Sequence, residues 1–508
     1  MSDVKRLKYF VNGKWMESKT TKYMDCYNPS TGEVIAQTPC CTAEEVEQAI
    51  QSAKKAYASW SMVPVFKRVQ ILFKLRNLIE QHLVELTTIC ATENGKCYSE
   101  SEGDILKVKE PVEFAAAMPN WMKGESLWDT STGFDCVTYR EPVGVFTGIV
   151  PFNFPGMIPF GWMAPLCIAA GNTMVIKAAS MVPQTAMKLT ELWQEAGLPD
   201  GVLNLVTCSR NEAEIFLRHP DVVGITFVGS TSVGKHIYAT AAANGKRVQC
   251  LCEAKNHGLV LEDASLEASG RVIMNSSFGC AGERCMALPV VVAQESIADK
   301  LAEIMVGFAK ELKVGPAYDK TSELGPVITD EHRKGVVKWI EKGVQEGAKM
   351  LLDGRNKVVK GYEKGFYLGP TIMDHVKPGM TVGDEEIFGP VQLIKRVKTF
   401  EEGLAIMNQS RFANGAVVFT NSGYYAREFL RRTHGGMCGV NVGIPVPTAV
   451  FPFAGHKQSF FGDLHILGED GIKFFTETKT ITTKWFSAEQ AKKAEKVSSF
   501  EAAIGGHK

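Results

Sequence analysis

Between residues 143 and 245 the chain alternates short, continuously apolar runs with longer stretches whose apolar positions recur at helical spacing. VGVFTGIV, NTMVIKAA, GVLNLVT and VVGITFVGS are rich in β-branched residues, as strands covered on both faces require. Residues 155–170, QTAMKLTELWQEAG, NEAEIFLRHP and TSVGKHIYATAAANG separate them as helices. The first opens on proline and the second ends at glycine, in keeping with helix starts and stops. This alternation predicts a parallel sheet with right-handed crossovers that binds ligands at the carboxyl ends of its strands.

A second α/β pattern follows Lys255. LVLED, LPVVVAQ, LGPVIT, KMLLDG, NGAVVFT and GGMCGVNVG read as strands, and residues 266–278, 295–313 and 330–347 as helices. Residues 355–380 are rich in glycine and lysine and read as surface loops. Upstream, residues 1–40 read as a small β-hairpin apron with turns at Asn12-Gly13 and Pro29-Ser30. Thr42 followed by Glu45 is a capping signature that opens a helix, and two further helical stretches cover 65–94 and 99–123. VPTAVFPFAGHKQSFFG reads as a packed loop. FFTETKTITTKWF alternates over 474–486 like an edge strand with one solvated face, of the kind that pairs with another subunit. The tail from Ser487 is charged, then small, and is expected to be partly disordered.

Length and composition narrow the function. At 508 residues the chain is long enough for two or three domains. Lys+Arg and Asp+Glu balance at 56 each, so no global field recruits nucleic acid or an anionic membrane. The start, MSDVKRLKYFVNGKW, has no apolar signal-peptide core, and no run of apolar residues is long enough to cross a membrane. The thirteen cysteines then imply reduced thiols and a cytoplasmic protein. With no CxxC pair, no HExxH and scattered histidines, no metal site is expected.

The candidate chemistry centres on SSFGCAGERCMAL. Cys285 follows a run of small residues, with Glu283 and Arg284 directly before it. Small neighbours let a carbonyl approach a thiol, and an adjacent guanidinium favours thiolate. The familiar dinucleotide fingerprint is absent. Phe227-Val228-Gly229-Ser230, leading to Gly234, instead reads as a strand, a glycine turn and a helix start whose N–H groups could hold a pyrophosphate. An ordinary strand-to-helix turn would read the same way.

These pieces occur in a recognisable order: PFNFP at 151–155, VIK at 175–177, FVGS at 227–230, GERC at 282–285, EIFGP at 386–390 and PFAGHKQS near the end. The set resembles the aldehyde dehydrogenase superfamily, over nearly the whole chain. AKNH at 254–257, PFNFP and GERCMA together look like its methylmalonate-semialdehyde and malonate-semialdehyde dehydrogenase branch. The resemblance implies an α/β fold with a Rossmann-like NAD(P) domain over 1–127 and 148–257 and a catalytic domain over 258–450. It also implies an oligomerisation β-arm from 128–147 and 470–490, which builds a homotetramer. Cys285 would attack the aldehyde, with Asn153 and the Cys285 N–H holding the oxyanion. Phe152, Lys177, Ser180, Gly229, Ser230, Gly234, Glu386 and Phe388 would form the cofactor site, Lys177 reaching the adenosine ribose and Glu386 the nicotinamide ribose.

Departures from the family pattern carry their own implications. Hydrolytic relatives place a glutamate general base where this chain has Leu251, and leucine cannot activate water. The semialdehyde branch also lacks that acid and resolves its thioester with coenzyme A, so an acyl-CoA product is expected. Glu253 stands where the family usually has glycine; it is either a displaced base in a hydrolytic enzyme or a surface acid, and the latter is favoured. A catalytically silent protein on the same fold is a third reading, opposed by the joint presence of Cys285, Asn153 and Glu386. Two arginines hold the substrate carboxylate in the branch. One matches Arg284 and the other aligns with Lys107, with Lys109 close in register, and lysine loses the bidentate fork. Ser180 replaces a glutamate that repels a 2′-phosphate, so NADP should be tolerated.

Overall fold

The computed structural model describes residues 4–489, in which two twisted sheets each carry their own apolar core. The first sheet runs Lys14–Met16, Tyr9–Val11, Leu203–Val206, Thr173–Lys177, Val145–Ile149, Val222–Val228, Arg247–Leu251 and Phe460–Gly462. Its five central strands are parallel, and antiparallel neighbours close both edges. Chain order reverses between Val145–Ile149 and Val222–Val228, where Gly148 is paired with Ile176 on one side and Thr226 on the other. Such a reversal leaves a crevice outside the strand ends. The residues at 1–40 are therefore not a separate apron: Tyr9–Val11 and Lys14–Met16 extend this sheet, and only Tyr23–Asn28 with Glu33–Pro39 form an independent hairpin.

The second sheet is ordered Lys349–Leu352, Thr371–Asp374, Val391–Val397, Val290–Gln294, His257–Val260, Gly415–Phe419 and Met437–Val440, parallel except at its first pair. Two expectations fail here. Thr371–Asp374 is a fully buried strand inside the stretch read as surface loop, its short TIMD core masked by the glycines and lysines around it. LGPVIT makes only an isolated bridge, Val314 with Leu324, because Gly325-Pro326 interrupts the donor ladder a strand needs.

The helix expected from residue 155 also differs. The chain turns through 155–157, forms a π-helical turn over Ile158–Met163, and becomes α-helical only at Ala164–Ala170. Pro159 has no N–H to give, and the widened turn closes from the Ala164 N–H to the Pro159 carbonyl. A side chain on Gly161 would come within 3.0 Å of the Lys107 carbonyl, so this turn lies flush on helix Tyr98–Ala116.

A third sheet joins Thr476–Lys484, Phe134–Pro142 and Ser126–Ser131. The last strand has no covered face: Glu477 through Thr482 are exposed on both sides. The tail beyond residue 489 lies outside the described residues. No described helix is long and apolar enough to cross a membrane.

Candidate active site

Helix Leu266–Phe278 delivers the nucleophile loop. Cys280, Ala281 and Gly282 take φ of 50°, 52° and 74° in succession, a left-handed path that two residues with Cβ atoms adopt only under constraint. The constraint is visible at Gly282, where any Cβ would lie 2.1 Å from the Gly389 carbonyl oxygen. The loop is thereby wedged against the EIFGP segment. The Cys285 carbonyl accepts the side-chain amides of Asn256 (2.9 Å) and Asn414 (3.3 Å). Burial pushes the Cys285 thiol up to about 12, and the Glu386 charge adds to it. Arg284 opposes this as the weakest of the named influences, so adjacency alone does not ionise the thiol.

Asn153 is buried beside this loop. Its Nδ2 donates to the Glu283 carbonyl at 3.0 Å, leaving a second amide proton, and its Oδ1 is buried without a partner. Sequence reasoning missed what holds it. Lys96, fully buried, donates to the Asn153 carbonyl (2.6 Å) and to Asp104 (2.9 Å), while Asp104 accepts the Met157 N–H (2.7 Å). Asn94 supports the Phe152 carbonyl at 2.8 Å.

Cys285, Arg284 and Lys107 meet in one cavity of about 330 Å³, walled by Phe154, Trp162 and Phe453 among other apolar side chains. Lys109 points instead toward Glu80, at 3.7 Å, and does not line this cavity. Both cavity cations already have acidic neighbours. Arg284 pairs with Glu100 at 3.0 Å and donates to the Cys280 sulfur at 3.1 Å; Lys107 pairs with Glu110 at 2.5 Å.

A second cavity, of about 300 Å³, opens at the reversal of the first sheet. Lys177, Gly229 and Ser230 line it, together with Ser209 and Arg210, which the sequence did not single out. Gly234 does not reach it; a Cβ there would strike the Cys252 sulfur at 2.3 Å, so this glycine lets the helix lie close on the sheet. Ser180 is buried, its carbonyl accepting the Cys26 thiol at 3.3 Å, and is not among the lining residues. Phe388, at φ 59°, meets Phe152 edge-on at 5.8 Å, and its carbonyl is 2.7 Å from His332 Nε2. Glu386 accepts the Ala254 N–H at 3.0 Å, and burial pushes its carboxyl up to about 8. Among the described residues no group of three or more His, Cys, Asp or Glu side chains could hold a metal ion.

The sequence matches the aldehyde dehydrogenase family over residues 15–481. The chain belongs to that family. Malonate-semialdehyde dehydrogenase 2 of Geobacillus kaustophilus is 48% identical to it over 482 residues, which cover 95% of this chain and 99% of that one. The methylmalonate-semialdehyde dehydrogenase of Oceanimonas doudoroffii superposes with a TM-score of 0.94 at 39% identity, covering 96% of this chain and 99% of that one. A Sinorhizobium meliloti structure provisionally designated a methylmalonate-semialdehyde dehydrogenase, complexed with NAD, gives a TM-score of 0.94 at 38% identity, with coverage of 96% and 99%.

Membership gives the two substituted positions a physical setting. Leu251 ends its strand inside the apolar core against which Cys285 packs, so no carboxylate stands there. Glu253 is not a surface acid. It is half-buried, and its Oε2 accepts the Thr231 N–H at 3.0 Å, at the first residue of the helix that follows the FVGS turn.

Proposed function

We propose that this aldehyde dehydrogenase oxidises a small, carboxylate-bearing semialdehyde and passes the acyl group to coenzyme A. The observation that carries the reading is Leu251, an apolar side chain where a hydrolytic enzyme needs a base, buried in the core against which Cys285 packs. The relatives' names point to the same substrate class. Cys285, its thiol proton lost to solvent, attacks the aldehyde carbon through sulfur, and the carbonyl electron pair moves to oxygen. The Asn153 amide and the Cys285 N–H stabilise that oxyanion. Held by the residues of the second cavity, NAD(P) would supply the acceptor for the hydride that leaves the same carbon. The carbonyl re-forms as a Cys285 thioester. The coenzyme A thiolate then adds to it, and Cys285 departs as thiolate. Water is a weaker competitor here because Leu251 stands where hydrolytic relatives carry their general base.

The second cavity suits the cofactor: small residues at Gly229 and Ser230 open a helix N-terminus to a pyrophosphate, and Lys177 supplies a donor for a ribose. Glu386 and Phe388 would border the nicotinamide end. Arg210 lines the cavity and would meet a 2′-phosphate, so NADP is an acceptable alternative to NAD. Arg284 and Lys107 would face the substrate carboxylate. Residues 1–127 and 148–257 would serve as the NAD(P) domain, 258–450 as the catalytic domain, and 128–147 with 470–490 as the arm of a homotetramer working in the cytoplasm. Acyl release is measured by product analysis on malonate, methylmalonate and succinate semialdehydes against propanal, with and without coenzyme A. An acyl-CoA product and a preference for the acids are expected; rapid free acid regardless of coenzyme A would overturn the reading.

A further inference from the structure

Glu253 reaches the start of the helix that follows Gly229 and Ser230, two residues lining the second cavity, although its own side chain is not part of that lining. Its carboxylate accepts the N–H of Thr231, the first residue of helix Thr231–Ala243, at 3.0 Å. That N–H is among the orphan donors that make a helix start attractive to phosphate. Among the described residues the side chain has this one hydrogen bond, whereas its backbone is pinned: the Glu253 carbonyl accepts the Ser459 hydroxyl at 2.7 Å, and Thr231 Oγ1 donates to the Gln458 carbonyl at 3.4 Å. A rotation of the Glu253 side chain therefore uncovers the helix start without moving the sheet. Ala254, the next residue, donates its N–H to Glu386, so the pyrophosphate and nicotinamide ends of the site are joined through two consecutive residues.

We infer that Glu253 is an internal anion that competes with the cofactor pyrophosphate for the helix N-terminus, so that cofactor binding must displace it. This rests on the assignment of the second cavity to NAD(P). The carboxylate takes up one of the helix-start donors, and its like charge opposes the pyrophosphate until it swings away. The carboxylate lowers affinity for any ligand with a pyrophosphate and leaves recognition of the adenosine part alone. It thereby sets a weak cofactor affinity, which speeds release of the reduced cofactor.

The test is titration of the full-length protein with NADH, ADP-ribose and adenosine, for wild type, Glu253→Ala and Glu253→Gln. In Glu253→Ala, NADH and ADP-ribose should bind about tenfold more tightly, which corresponds to about 1.4 kcal/mol, with adenosine unchanged. Glu253→Gln keeps the shape and loses the charge, so a smaller tightening in the same two ligands is expected. It also decides the matter should the alanine variant fail to fold. Equal or weaker binding of NADH and ADP-ribose in the variants overturns the inference while leaving the cofactor assignment intact. Absence of NADH and ADP-ribose binding in folded wild type and variants overturns both.

Discussion

Burial keeps the thiol of Cys285 protonated, and the Glu386 carboxylate, once it ionises near pH 8, disfavours a second anion further. Below a thiol pKa of about 12, the thiolate fraction rises tenfold with each pH unit. Alkylation by iodoacetamide should therefore accelerate without a plateau between pH 7 and 10 in the cofactor-free enzyme. Glu386→Gln removes the second raising influence, so its alkylation at pH 8 should be faster than wild type. A plateau near pH 8 in wild type would show that burial does not hold the thiol up, and no difference in the variant would show that Glu386 does not govern it. Cys285 itself was legible from its small neighbours and from the motifs around it. The residues that fix its surroundings were not. Lys96, Asp104, Asn256 and His332 reach the site from distant segments, and no local spacing marks a lysine in ENGK or a histidine in TDEHR as part of it. Arg284 shows the converse: its place was legible, but its pairing with Glu100, 184 residues away in sequence, was not.

Among the elements, those defined by local chemistry formed where the sequence placed them. The capping box at Thr42 and Glu45 is present, with both reciprocal hydrogen bonds. The β-branched runs after residue 143 became the central parallel strands. Expectations failed where proline or a short segment intervened, as at Ile158–Met163, LGPVIT and Thr371–Asp374. The π-helical turn is the failure nearest the chemistry. It lies on helix Tyr98–Ala116, and the buried Lys96–Asp104 pair ties that helix to Asn153 and Met157. Lys96→Met leaves the Asp104 carboxylate buried without its cation, a change expected to cost about 3–5 kcal/mol. Urea denaturation should report that loss, and a Lys96→Met/Asp104→Leu double variant should recover part of it. Because the single variant also frees the Asn153 backbone, its kcat should fall more than KM rises. Full stability in Lys96→Met would show that the pair does not fasten the two elements.

On the scale of the whole molecule, strand order within each sheet lay beyond sequence reasoning, because nothing local states which strand returns to which neighbour. The reversal that opens the cofactor cavity became definite only in three dimensions, although the alternating pattern implied that one exists. The arm is a different case. Alternation in FFTETKTITTKWF suggested one protected face, yet the strand is open on both. Leu127, Trp128, Ile481, Trp485 and Phe486 expose large apolar surfaces on or beside this three-stranded sheet. Apolar side chains on a strand with an unpaired edge are a liability unless something covers them. The period-two pattern is then explained if the buried face is supplied by a second copy of the chain, which a single chain cannot reveal. Leu127→Asp/Trp128→Asp places two charges in that surface while touching neither cavity. Light scattering should find wild type as a tetramer and the variant as smaller species, with a lower melting temperature that depends on protein concentration. A wild-type protein that stays monomeric at micromolar concentration would refute this role for the arm, and the alternation in its last strand would then lack a packing reason.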